Sequence, residues 1–236
     1  MENASPGRLA LNCITVKGLI ARAYDYHADG PMRLKRIKPI EGGPDWINTE
    51  QFNISARAAD GNPTDVMNGP MMQALLEDRF KLKIRSETRD VPGYALTVAK
   101  GGPKLPQLVE GTCVPFAPAS APPAGQHFCD HFWLSGEPSV TINFIGASLK
   151  TFTDDLSLRV ARPIVDKTGL TGLYDFHLEF APDESTPTLH HALVPADTTV
   201  LSIFTALQEP LKLKLEGTRL PGEFLVIDSI ERPSEN

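Results

Sequence analysis

The sequence predicts an α+β fold built as two tandem, similar units. Each runs strand, helix, strand, helix, strand, strand, with mostly antiparallel or mixed sheets and helices packed on one face. Three observations carry that expectation. Two stretches about 130 residues apart look alike. Within each, the hydrophobic spacing switches between a helical period and the period of two that marks a strand. And 236 residues, 41% hydrophobic and 22% charged, suffice for a real core.

The likeness is plainest between "MMQALLEDRFKLKIRSETRDVPGYALTV" (71–98) and "IFTALQEPLKLKLEGTRLPGEFLVID" (203–228). Both hold an Ala-Leu pair in a helical pattern, then Lys-Leu-Lys, a polar link, Pro-Gly and an apolar run. Met71, Leu75 and Leu76 share a helical stripe. Leu82 and Ile84 alternate with Lys81, Lys83 and Arg85, as in a half-buried strand. Pro92-Gly93 and Pro221-Gly222 are expected to end one strand and start a return strand. Upstream, "TVKGLIARAYDY" (15–26) and "SLKTFTDDLSLRV" (148–160) open on Thr or Ser, good N-caps, and continue with helical spacing. The strand-like "RLALNC" and "SVTINFIG" precede them. These correspondences divide the chain into a first repeat unit at 1–102, a Pro/Ala-rich linker loop at 103–138, and a second unit at 139–236.

"RPIVDKTGLTGLYDFHLEF" (162–180) reads as a turn between strands, not a reactive loop. Tyr174, Phe176, Leu178 and Phe180 share one face. Gly169 and Gly172 supply positive φ at no steric cost, and Asp166 can cap the turn through backbone amides.

The formal charge of −6 argues against a nucleic-acid partner, since such proteins present a basic face. The short cluster "RLKRIK" reads as a solvated edge. No run of about 18 apolar residues could span a membrane. No basic n-region followed by an apolar stretch is visible, so no signal peptide is read. Gly-x-Ser-x-Gly, a phosphate-binding loop and a dinucleotide fingerprint do not occur, and no cofactor is expected. The carboxylate pairs Glu77-Asp78 and Asp154-Asp155 fall on expected polar helix faces.

Of three cysteines, Cys113 and Cys129 bracket "VPFAPASAPPAGQHF", which has neither helical nor strand period. A bridge between them would close a loop of about 15 residues, worth on the order of 3 kcal/mol, and implies an oxidising compartment. Cys13 alternates with Leu9 and Leu11 and is expected as a buried free thiol. His127 and His131 in "HFCDH" are weak metal candidates, and His190-His191 lie in a polar loop. Trp46 plugs a core or lines a groove. With Trp133, Asp166 and Tyr174 it makes up the residues a ligand would meet.

The segments "LIARAYDY", "GGPDWINTEQFNISARA", "MMQALLEDRFKLKIRSETRDVPGYALTVAKGGPKL", "RPIVDKTGLTGLYDFHLEF" and "FTALQEPLKLKLEG…FLVIDSIERPSEN" resemble the soil-associated protein family of soil bacteria, a domain of unknown function. The resemblance implies an exported protein. It also implies kinship with domains carried outside the cell on membrane metallopeptidases related to antibiotic sensors. It assigns no catalytic residue. Family members usually open on a further strand, Phe-Glu-Val-Ala-Ser. Its absence here implies a truncated start.

The expectation is therefore an extracytoplasmic, periplasmic or secreted, binding or sensor-type module. Its partner would be a small molecule, a peptide or an envelope protein, and the chain a monomer or weak dimer. The alternative is a hydrolase whose site is assembled between the halves, for example Ser135 with His127 or His131.

Overall fold

The computed structural model describes residues 2–5, 7–27, 38–58, 63–109, 111–115, 121–135, 139–187 and 200–233, with side chains omitted for 2–5 and 131–134. The first half contains β1 (Glu2–Ser5), β2 (Arg8–Thr15), α1 (Val16–Ala21), β3 (Ile40–Gly42), α2 (Trp46–Thr49), β4 (Gln51–Arg57), α3 (Thr64–Asn68), α4 (Pro70–Arg79) and β5 (Lys83–Val98). The second contains β6 (Cys113–Val114), β7 (His127–Phe128), β8 (His131–Ser135), β9 (Val140–Ala147), α5 (Leu149–Arg159), β10 (Ile164–Asp166), β11 (Tyr174–Phe180), α6 (Ile203–Gln208) and β12 (Leu213–Ser229). Helices and strands mix as an α+β fold requires. The sheet orders are β1-β2-β4, β11-β9-β8, β10-β5-β12-β3 and β6-β7.

Local chemistry accounts for the helix starts. Thr15 and Ser148 are extended and accept hydrogen bonds from the N–H groups of Gly18 and Thr151, at 3.2 and 3.1 Å. Such a bond satisfies one of the orphan donors of a first helical turn. α1 runs on into a π-helical turn, Arg22–Tyr26. At the other end of α4, Lys81 adopts φ 50° and Leu82 donates to the Leu76 carbonyl, a left-handed C-terminal cap made without glycine. Lys212 repeats that conformation at φ 55° after α6.

Strand pairing also recurs. β2 pairs antiparallel with β4, and β9 with β11. β3 pairs parallel with β12, and β10 parallel with β5. The Leu225 N–H donates to the Pro39 carbonyl and the Tyr94 N–H to the Pro163 carbonyl, each at 2.9 Å. Each short strand is thus paired with the long strand of the opposite half of the sequence.

That exchange explains how the chain divides into compact units. One comprises residues 1–90 and 221–236, the other 91–220. The divisions fall at Pro92 and Pro221 or within a residue of them, inside β5 and β12. The expected return strands therefore do not form: each Pro-Gly lies within one continuous strand. At Gly93 a Cβ would stand 2.7 Å from the Pro163 carbonyl oxygen, so the close approach of β10 needs glycine there.

The first unit buries Leu9, Leu19, Ile20, Met72, Leu76 and Ile227. The second buries Ile142, Phe144, Phe152, Leu156, Phe176 and Phe180, with Phe144, Phe152 and Phe176 in mutual ring contact at 4.7–5.2 Å between centroids.

Several expectations need correction. A strand does precede "GRLALNC": Glu2–Ser5 pairs with Arg8–Leu11 as β1. Cys13 is a free, exposed thiol, not a buried one. Its φ of 54° and a register shift between Leu11 and Ile14 mark a β-bulge, which breaks the alternation that would have turned it inward. Asp155 is buried beside Arg159, whose Nη2 donates to its Oδ1 at 2.6 Å. It stands three residues after Phe152 and so joins the inner face of α5. Desolvation raises its pKa, and the Arg159 hydrogen bond partly offsets that rise. The basic residues 33–37 and the pair His190-His191 lie outside the described residues.

Candidate ligand-binding cleft

The segment "YDFHLEF" forms β11, and its period of two decides what it exposes. Tyr174, Phe176, Leu178 and Phe180 are buried in the core of the second unit. Asp175, His177 and Glu179 fall on the opposite face, and His177 sits across from Asn143 of β9. The run was legible as a strand. The three polar residues it turns outward were missed as site candidates, although the same alternation pointed to them.

A β-bulge anchors one end of this face. Gly146 has φ 52°, and its N–H donates to Asp175 Oδ1 at 2.6 Å. A Cβ at Gly146 would stand 2.7 Å from Cys113 Sγ, so the positive φ favours glycine and the close approach of the sulfur leaves no room for a side chain. The Cys113–Cys129 disulfide, with Cα atoms 5.0 Å apart, therefore packs directly on the bulge. Asp130 completes the anchor: its N–H donates to the Gly146 carbonyl, and its Oδ1 accepts from Ser148 N–H at 3.1 Å and from Thr151 Oγ1 at 2.6 Å. At the other end, Ser139 Oγ donates to Glu179 Oε1 at 2.9 Å.

Two segments cap the ends of β11. Asp175 N–H donates to the Pro106 carbonyl at 3.0 Å, and Leu108 N–H to the Leu173 carbonyl at 2.9 Å. Ala181 N–H donates to the Leu201 carbonyl at 2.8 Å. Between them opens a cavity of about 810 Å³. Asn143, Asp175, His177 and Glu179 line it from the sheet, with Lys104 and Pro106 beside them. Val200, Leu201, Ala206, Pro210 and Leu211 supply the apolar part. Convergent polar groups on a partly apolar wall, at a volume within the range of ligand pockets, is the make-up of a binding site.

The residues singled out from sequence lie around or away from this cleft. Tyr174 is buried behind it, its hydroxyl donating to the Thr171 carbonyl at 2.9 Å. Asp166 is exposed and its Oδ1 accepts from Thr168 N–H at 2.8 Å. Together with positive φ at Gly169 and Gly172, these bonds make 166–174 a turn. It joins no hairpin, because β10 pairs with β5 and β11 with β9. Trp46 belongs to the first unit, where it stacks on Phe80 at 6.4 Å and lies beneath Arg232 at 5.2 Å. His127 is exposed in β7, and no hydrogen bond among the described residues links it to Ser135. Trp133 and His131 are placed in β8 by their backbone, and their side chains lie outside the described residues. Among the described residues, no group of three or more His, Cys, Asp or Glu is arranged to hold a metal ion. No helix among them is long and apolar enough to cross a membrane.

Residues 17–230 match a family described as "Protein of unknown function (DUF3738)". The chain belongs to that family. The DUF3738 match takes in the whole cleft, the disulfide and both exchanged strands, while β1 and β2 precede it. No curated protein and no solved structure matches the chain.

Proposed function

We propose that this DUF3738 protein is an extracytoplasmic binding or sensor-type module whose ligand sits in the cleft on β11. The observation that carries the reading is the cavity of about 810 Å³ in which Asn143, Asp175, His177 and Glu179 converge. The Cys113–Cys129 bridge, compatible with an oxidising compartment, stiffens one end of the cleft through Gly146. The resemblance to soil-associated proteins borne on sensor-like metallopeptidases supports the same role. Recurrence of the N-caps, the left-handed lysines and the strand pairings supports reading the chain as two copies of one unit joined by the 103–138 linker.

The test is a thermal-shift and calorimetric screen of the oxidised protein against peptides, glycans and β-lactams. Ligand at 100 times its Kd stabilises by about 2.7 kcal/mol, so Tm should rise by about 5–10 °C. Glu179→Lys, an exposed change, should alter the affinity at least tenfold and leave the unliganded Tm within about 2 °C. A ligand whose affinity ignores that reversal sits elsewhere, and the reading fails.

A further inference from the structure

We infer that the cleft takes an extended peptide, added as a strand to the open edge of β11, and that the peptide it prefers alternates basic and apolar residues. The inference rests on the binding reading above and names its ligand class.

β11 is the terminal strand of the β11-β9-β8 sheet. In an antiparallel ladder, successive residues turn their N–H and C=O groups alternately to opposite sides. Asp175 and Ala181 both donate away from β9, to Pro106 and Leu201. His177 and Glu179 have the same parity, so their backbone groups face the same side, between the two caps. Among the described residues, neither finds a backbone partner there. The steps from Asp175 to Ala181 span about 20 Å at about 3.4 Å per residue, and the cavity occupies that interval.

Unpaired donors and acceptors at strand spacing suit another backbone better than any compact molecule. Pro106–Leu108 already shows the mode, since Gln107 bridges antiparallel to Tyr174 at the strand's start. An incoming strand would continue that pairing by β-augmentation. Its side chains would alternate between two environments. One is set by Asp175 and Glu179, which flank His177. Asp175 Oδ1 is held by Gly146 and Glu179 Oε1 by Ser139, so each carboxylate keeps a second oxygen for a cation. The other is the apolar wall of Ala206, Pro210 and Leu211.

The probe is an N-acetylated, C-amidated hexapeptide alternating valine with arginine, compared with its counterpart carrying glutamate for arginine, titrated into the oxidised full chain. The arginine peptide should bind saturably and the glutamate peptide at least tenfold more weakly. His177→Pro removes the edge N–H at a position where proline is tolerated. It should cut binding at least tenfold more than His177→Ala does, since both variants lose the imidazole and only the alanine keeps that N–H. In the unaltered protein, hydrogen exchange at the His177 and Glu179 amides should slow at saturation, a readout independent of any variant's folding. Equal binding of both peptides, full binding by folded His177→Pro, or unslowed exchange would each overturn the inference. A small molecule sensitive to Glu179→Lys, with neither peptide binding, would overturn it too and leave the binding reading standing.

Discussion

Cys13 and Gly146 occupy the same structural position, the left-handed residue of a bulge two places before a helix N-cap. Each donates its N–H to a side-chain oxygen on the neighbouring strand, Cys13 to Asn53 at 3.0 Å and Gly146 to Asp175 at 2.6 Å. The left-handed region costs a non-glycine residue about 1–2 kcal/mol. Gly146→Ala should therefore destabilise by that amount or more, since its Cβ also meets the disulfide sulfur. Cys13→Gly should be neutral or stabilise by up to about 1 kcal/mol, because the strain it relieves is offset by the greater freedom of an unfolded glycine. Urea denaturation of both oxidised variants checks the contrast. A second residue-scale effect is electrostatic. Hydrogen bonds from the Arg89 and Arg85 guanidinia hold the Glu87 carboxyl at about 2, against an ordinary 4.5. Because the folded pKa is depressed, its stabilising contribution is present above pH 4.5 and lost as pH falls from 4.5 towards 2. Glu87→Gln should flatten the acid limb of the stability curve in that window, and 1 M salt should do the same to the parent, since the cluster lies at the surface with its side chains about a third to a half exposed.

At the scale of elements, β6 and β7 are two residues each and carry little pairing of their own. The disulfide closing residues 113–129 holds them in place. Cys113→Ser with Cys129→Ser should cost on the order of 3 kcal/mol and loosen the bulge beneath. Titrating thiols in the native, unreduced protein should find one fast-reacting group, Cys13; three would refute the bridge. The bridge, the N-caps and the 166–172 turn were legible because each depends on chemistry within a short stretch of chain. The exposure of Cys13 was not. A bulge exists only relative to a partner strand, and one inserted residue turns every later side chain to the other face. Asp155 was misread for a related reason: a polar residue enters a core when an i+4 partner such as Arg159 comes with it.

At the scale of the whole molecule, the exchanged strands make each compact unit depend on both halves of the sequence. Residues 40–42 pair with 225–227, and 164–166 with 94–96. A fragment 1–102 lacks the strand that pairs with β3, and a fragment 139–236 lacks the one that pairs with β10. Neither should show a cooperative thermal transition alone, and mixing the two should restore one. A sharp, independent transition in either fragment would show that the exchange is dispensable.

Periodicity, caps and turn chemistry by themselves determined that the chain is α+β, that similar strand and helix patterns recur, and that 166–172 turns. These follow from each residue's neighbours along the chain. Only the tertiary structure decided that the Pro-Gly strands run through from one unit to the other, and that Asp175, His177 and Glu179 face an open cleft. Strand partners far apart in sequence set both, and local pattern carries no record of which distant edge a strand will meet.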